Sequence, residues 1–338
     1  MKVMLVVNPS ASAVTARNRV MIQNALSADH DLTVNETNRR GHATRLAQSA
    51  TAEGYDVVVA LGGDGTVNEV ANGLARTSTA LGVLPGGSTN VFSRTLGFDN
   101  EPVAAAHQLL AALSRDSIRH VGLGNVNGRF FCFHVGIGLD AAVVEQVERR
   151  GQLKRWIGHP LFLFAAVDTW ARRYDRKLPS FRVETQRDPA LADVSASDTP
   201  FVASSSMSSM SSMPSMSSMP SKPGAGTDSY FAVVLNTDPY TFLGSRPLSL
   251  APASNLHNGL SLVSLNNLQL APLLRALYLA FRRRPLSGLS NVLVKNELTW
   301  LRIRGHRPFE WQVDGDFLGH IEELEIRWEP NVLRLVTP

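Results

Sequence analysis

The sequence predicts a two-part protein: an α/β N-terminal nucleotide-binding domain over residues 1–120, then a mostly antiparallel β-rich domain over residues 121–338. Three observations predict it. Apolar strand-like runs alternate with helical spacing as far as about residue 114, as parallel βαβ units do. A glycine-rich turn, Gly62-Gly63-Asp64-Gly65-Thr66, follows the central one of these runs. Beyond His120 the helical spacing gives way to short strand patterns, the first two joined at Asn127-Gly128, a strong hairpin signal.

Residues 3–7 form a buried strand that ends at the polar loop Asn8-Pro9-Ser10. Helical spacing follows through Val20, Ile22 and Leu26, and residues 31–36 alternate as a second strand before the polar loop 37–40. Gly41-His42-Ala43-Thr44 opens a second helix with Leu46 and Ala47 on its apolar side. Residues 57–61 are a continuous β-branched and apolar run, which reads as a strand buried on both faces of a parallel sheet. After the glycine turn, Thr66 is a plausible N-cap, and Val67, Val70, Ala71 and Leu74 have helical spacing. Residues 80–84 are another buried strand, followed by Pro85-Gly86-Gly87-Ser88-Thr89-Asn90 and a helix carrying Val91, Phe92 and Leu96. Ligands of open parallel sheets bind at the carboxyl ends of strands, so the loops after Val7, Leu61 and Leu84 should converge on one crevice.

Downstream, residues 139–147 and 153–174 read as helical, with Pro160 marking a break. Strands are expected at 181–184, 230–236, 260–265, 297–303, 310–313, 321–328 and 332–336. Residues 203–227 are a Ser/Met-rich low-complexity run, expected to be a disordered insert because nothing in it offsets the ordering entropy.

The glycine turn carries the first chemical reading. Glycine tolerates tight turns and lets a ligand approach the main chain. Free N–H groups at the helix start favour a phosphate. Asp64 among such glycines would repel phosphates unless Mg²⁺ bridges carboxylate and phosphate oxygens.

Composition bounds the partners. The chain has 338 residues, 44% hydrophobic and 18% charged, with a net charge of +4. A sequence pI near 9.4 suits an anionic partner, a nucleotide or a membrane surface. Without a basic stripe interleaved with aromatics, no nucleic acid is expected. Cys132 is the single cysteine, so an internal disulfide is excluded and a reducing cytoplasm is expected. The first residues begin a strand and are expected to be no signal peptide. The apolar run 160–167 is shorter than the ~20 residues a membrane span needs. The helical stretch 273–284 ends in Arg282-Arg283-Arg284, which reads as a contact to anionic lipid or as a solvated helix end.

Asn8-Pro9, Thr37, Gly41-His42-Ala43, residues 62–69 and 85–90, and Val313-Asp314-Gly315-Asp316 together resemble the diacylglycerol kinase catalytic-domain family, which includes bacterial lipid kinases and sphingosine kinases. The central loop is shared with NAD kinases and 6-phosphofructokinases. The third loop followed by Val91-Phe92-Ser93-Arg94 looks most like the lipid kinases. The resemblance implies an NAD kinase/phosphofructokinase-like domain for ATP and Mg²⁺, a β-sandwich-like lipid domain, and a cleft between them. The implied activity is transfer of the γ-phosphate of ATP to a hydroxyl of diacylglycerol or a similar lipid alcohol. The implied place is cytoplasmic, peripherally on the inner face of the membrane. The oligomeric state, a homodimer included, stays open.

The resemblance also distributes roles. The backbone of Gly62, Gly63, Gly65 and Thr66 and the hydroxyls of Ser88 and Thr89 would cradle phosphates, beside Asn90. Asn8, Pro9, Ser10 and Thr37 would hold the nucleotide's other flank, and Asp64 would organise Mg²⁺. Asn68 and Glu69 either join the nucleotide site or cap and face solvent. Asp316 sits at the position of the family's proton acceptor. Asp314, two residues before it on an extended segment, would share its side and perturb its titration. Taken alone, Asp314-Gly315-Asp316 also reads as an ordinary hairpin turn.

A structural metal site is implied at Asn255, Asn258 and Leu260, where Asn258 replaces the usual Asp and is a weaker Mg²⁺ ligand. The first loop departs too, with Ala11 in place of a glycine. These departures keep a non-catalytic nucleotide-binding module as an alternative. An NAD kinase-like or other small-alcohol kinase is the enzymatic one. Phe130, Phe131, Phe133, Trp156, Phe162 and Phe164 read as core aromatics or as the lining of an acyl pocket, and His42 and His134 as structural residues.

Overall fold

Alternating apolar side chains build the first half of the molecule. The computed structural model describes residues 1–149, 168–174, 178–187 and 226–338. Strands β1 (Lys2–Val7), β2 (Asp31–Glu36), β3 (Val57–Gly62) and β4 (Ala80–Pro85) are parallel, in the spatial order β4-β3-β1-β2. Successive side chains point to opposite faces of a strand. Val3, Leu5, Val57, Val59 and Leu84 therefore join one core with α1 (Ala16–Asp29) and α5 (Pro102–Ser114). Met4, Val6, Val58, Ala60 and Val83 join another with α2 (His42–Ala52) and α3 (Asp64–Leu74). The short α4 (Val91–Thr95) follows β4. Burial on both sides explains why β1, β3 and β4 read as unbroken apolar runs. In α1, Ile22 and Leu26 face the core while Val20 is exposed.

The region after residue 117 is largely β-sheet. Its strands are β5 (Ile118–Val126), β6 (Arg129–Phe131), β7 (His134–Gly138), β8 (Phe181–Arg187), β9 (Thr227–Ser229), β10 (Phe231–Leu235), β11 (Thr241–Leu243), β12 (Arg246–Leu248), β13 (Leu260–Leu265), β14 (Val292–Val313) and β15 (Asp316–Val336). Helix α6 (Leu139–Arg149), a short helical turn (Thr169–Arg173) and α7 (Leu270–Phe281) complete the described elements. Asn127 and Gly128 both have positive φ and join β5 to β6, as the turn chemistry requires.

Two pairs of expected strands are each one long strand. Residues 297–303 and 310–313 belong to β14, and 321–328 and 332–336 to β15. The polar stretches between them shift the register, between Arg304 and Phe309 and between Glu329 and Leu333, without ending the pairing. The interruption in the apolar pattern marks a bulge, which bends a strand rather than terminating it.

β15 also returns to the first half of the molecule. Arg334 and Leu335 pair in parallel with Ala80 and Leu81 of β4 on one side, while on the other residues 333–336 pair antiparallel with β5. Hydrogen bonding runs through thirteen described strands as one sheet. The boundary expected at residue 120 does not interrupt the sheet, because β15 pairs with β4 of the first half. Of the insert expected at 203–227, residues 203–225 lie outside the described residues, as do most of the helix expected from residue 153, Trp156, Phe162 and Phe164, while Thr227 begins β9. Phe130, Phe131 and Phe133 are buried in the cores.

Candidate active site

The loops after β3 and β4 are locked together by their glycines. A Cβ on Gly86 would stand 2.7 Å from the Gly62 Cα, and one on Gly87 would stand 2.8 Å from the Gly63 Cα. Only glycine lets the two backbones approach this closely. The Gly86 amide donates to the Gly62 carbonyl (2.8 Å), and the Ala13 amide to the Gly86 carbonyl (2.8 Å). All three loops therefore meet, as expected from the strand order. Asn90 closes the third loop on itself: its Oδ1 accepts from the Gly87 amide (2.8 Å) and its Nδ2 donates to the Gly87 carbonyl (3.0 Å). Ser88 is left exposed at the loop tip.

Asn8 bridges the first two loops, its Nδ2 donating to the Thr66 hydroxyl (3.0 Å) and its Oδ1 accepting from the Ser10 amide (3.0 Å). Pro9 and Ser10 are exposed, and the Thr37 amide donates to the Val7 carbonyl (2.8 Å). Gly63 caps α3. Helix geometry leaves the amides of Asp64 and Gly65 without an intrahelical acceptor, which fits a phosphate.

Asp64 does not stand free among these groups. Its Oδ2 accepts from the Val91 amide and its Oδ1 from the Phe92 amide, both at 3.0 Å. The carboxylate thus caps α4 and ties the second loop to the third. Burial pushes its pKa up, while the two amides and Arg94 pull it down. Glu69 acts in the same way on α2, accepting from the amides of Gly41 (2.8 Å) and Ala43 (3.1 Å).

The two aspartates of the β14–β15 turn have separate surroundings. Asp314 and Gly315 both have positive φ and form the two-residue turn between Val313 and Asp316. Asp314 is only 5% exposed. Its Oδ2 accepts from the Cys132 amide (2.7 Å) and Asn68 Nδ2 (2.8 Å), and its Oδ1 from the amides of Phe133 and His134, both at 3.0 Å. Burial outweighs these donors and raises its pKa to about 6. The expectation that the two carboxylates share one side therefore fails: a turn residue with positive φ does not keep the alternation of an extended strand.

Asp316 instead opens into a cleft of about 320 Å³, also lined by Arg40, Thr44, Asn68, Glu69, Asn72 and Arg129. Its side chain is 25% exposed, held by Arg40 Nη2 at 3.1 Å and Arg129 Nη2 at 3.5 Å. A Cβ on Gly65 would lie 3.8 Å from its Oδ1. The start of α3 and the Asp316 carboxylate thus face each other. Asn68 links the two halves: its Oδ1 accepts from Arg129 Nη2 (2.9 Å), while its Nδ2 serves both Asp314 and the Phe130 carbonyl (2.9 Å). Asn72, one turn later, also bonds the Phe130 backbone.

Arg40, Arg129 and Asn72 were not singled out from the sequence. Arg40 directly precedes Gly41-His42-Ala43, a usable signal, whereas Arg129 follows an ordinary turn and carries none.

The segment implied as a metal site is a turn that leads into β13. The Asn255 Oδ1 accepts from the His257 amide (2.9 Å), Asn258 is exposed, and Leu260 begins β13. The segment offers no carboxylate, and among the described residues no cluster of three His, Cys, Asp or Glu could hold a metal ion.

Comparison with known proteins places this geometry in a class. Residues 2–125 match the family described as Diacylglycerol kinase catalytic domain. A diacylglycerol kinase of Bacillus subtilis is 36% identical over 121 residues, 35% of this chain and 39% of that protein. One of Staphylococcus aureus is 38% identical over 106 residues, 31% of this chain and 32% of that protein. The chain thus spans less than half the length of these relatives. Two solved structures from Bacillus anthracis strain Sterne have TM-scores of 0.71 and 0.65. Each is 21% identical, covering 100% of this chain and 95% and 97% of theirs; the second is described as a diacylglycerol kinase. At that identity they show a shared fold across both halves.

Proposed function

We propose that the protein is an ATP-dependent lipid kinase that transfers the γ-phosphate to a hydroxyl of diacylglycerol or a similar lipid alcohol. The observation that carries this reading is the Asp316 carboxylate, held between two guanidinium groups and facing the start of α3 across the cleft. ATP with Mg²⁺ supplies the electrophilic phosphoryl group and neutralises its charge.

The residues of this chain do the rest. The Asp64 and Gly65 amides and the Ser88 and Thr89 hydroxyls hold phosphate oxygens. Asp64 fixes the loop that carries Ser88, so its part is positioning, with a metal reached through water. Asp316 takes the proton of the acceptor hydroxyl, a role that needs a carboxylate within reach of the incoming alcohol. Arg40 and Arg129 offer cations to the transferred group, and their transfer from Asp316 to phosphate oxygens releases the carboxylate for its proton. Asp314 holds residues 132–134 and is not the base. The N-terminal part is the ATP domain, and the β-rich part takes the lipid.

No helix among the described residues is long and apolar enough to cross a membrane. In this reading the lipid acceptor is met at a membrane surface. Radiolabelled ATP incubated with a total lipid extract should label a phospholipid product. Label that appears only with soluble alcohols would replace the lipid reading by a small-alcohol kinase, and no label with either would leave a nucleotide-binding module.

A further inference from the structure

Helix α7 turns two different faces to its surroundings. Ala276 and Ala280 are buried, and Leu273 and Leu279 pack with Val263, Leu265 and Leu286 in the core beneath. The opposite face is apolar as well. Leu270 is 51% exposed, Leu274 54%, Leu277 37%, Tyr278 62% and Phe281 38%. Their spacing of four, seven, eight and eleven residues from Leu270 places them along one side of the helix. Scattered exposed apolar residues need no explanation, but five on one twelve-residue helix form a patch.

Charge identifies what fits the patch. Residues 266–296 contain no Asp or Glu. Exposed Arg275 lies within the helix, and exposed Arg282, Arg283 and Arg284 follow its last residue. An apolar stripe whose own segment carries cations and no acids complements a surface that is apolar below and anionic above; the Asp238 carboxylate near Arg283 is already engaged by Ser249 and the amides of Leu250 and Ala251. A helix of this length, about 18 Å, is too short to span a bilayer and suited to lie along one.

We propose that the outer face of α7 docks on an anionic lipid bilayer, with Leu270, Leu274, Leu277, Tyr278 and Phe281 entering the acyl boundary and Arg282, Arg283 and Arg284 meeting lipid phosphates. This docking needs no catalysis, so it stands or falls separately from the kinase reading.

The test is co-sedimentation of the full chain, without nucleotide, with phosphatidylglycerol/phosphatidylcholine vesicles and with phosphatidylcholine vesicles. Two variants are compared with the parent: Leu274→Gln with Tyr278→Gln, and Arg282→Glu with Arg283→Glu. The parent should prefer the anionic vesicles, and each variant should bind them about tenfold or more weakly. All three should melt at the same temperature and sediment alike without vesicles. Equal vesicle binding by parent and variants overturns the proposal. A lowered melting temperature of the Leu274→Gln, Tyr278→Gln variant also overturns it, because the face is then covered within the chain. A dimer that the same substitutions dissolve shows a second copy of the chain as the occupant instead.

Discussion

Two aspartates separated by one glycine have opposite surroundings, and substitution separates their roles. Asp316→Asn should leave nucleotide affinity near that of the parent and lower the single-turnover rate by about 10²–10⁴-fold, the usual cost of losing a general base. Asp314→Asn keeps one acceptor oxygen and turns an NH₂ towards two of its four N–H donors, and should show first as instability, about 1–3 kcal/mol in urea unfolding, for each donor left unpaired. A stable Asp314→Asn protein without chemistry, beside an active Asp316→Asn, would reverse the assignment.

His134 gives a pH signature at the same scale. Its ring lies against Phe133 and Tyr240 at 4.9 and 4.6 Å, its Nδ1 has no partner, and burial lowers its pKa from 6.5 to about 3. Between these values the unfolded chain binds the proton and the folded chain does not. Stability from this group is therefore present above pH 6.5 and lost as pH falls towards about 3. Buried Asp314 and Asp140, whose pKa values are raised, act with the opposite sign on acidification. Comparison with His134→Phe isolates the histidine: the variant should lose less stability across this window in urea titrations, and parallel curves would refute its buried neutral state.

At the scale of elements, short helices are held by carboxylates from elsewhere in the chain. α4 has only five residues and depends on Asp64 for two of its first amides. An asparagine there offers one acceptor and turns an NH₂ towards the other amide. Asp64→Asn should therefore lower stability by about 1–3 kcal/mol and raise the KM for ATP through a displaced Ser88 loop. A pure metal ligand would instead change the Mg²⁺ dependence and leave the unfolding midpoint alone. Arg94 extends the same junction, lying 3.6 Å over the Phe242 ring and donating to the Gly244 carbonyl at 3.1 Å.

Across the whole molecule, the halves are joined by main chain. Leu333, Leu335 and Val336 are fully buried in cores built mainly by residues before 115. Removing residues 333–338 exposes the β4 edge and those cores together. The truncated chain should lose cooperative thermal unfolding, and a fragment of residues 1–120 should aggregate, because an unpaired apolar edge invites association. A soluble fragment with parent-like helical circular dichroism would show instead that the N-terminal part folds alone.

Residue spacing by itself determined the parallel N-terminal layers and the hairpin at Asn127-Gly128. It also determined the meeting of the three loops at the carboxyl ends of β1, β3 and β4, while the family resemblance, not spacing, pointed to Asp316. These rest on local periodicity and on the conformational freedom of glycine, which act over a few residues. Tertiary structure alone decided that Asp64 and Glu69 cap helices, that Asp314 is buried, and that Arg40 and Arg129 flank Asp316. It also decided that β15 completes the first sheet. A carboxylate in sequence carries no sign of which amides will point at it. That choice arises when segments 26 to 182 residues apart are brought within hydrogen-bonding distance, and burial then separates the group that anchors the fold from the one left open to a substrate.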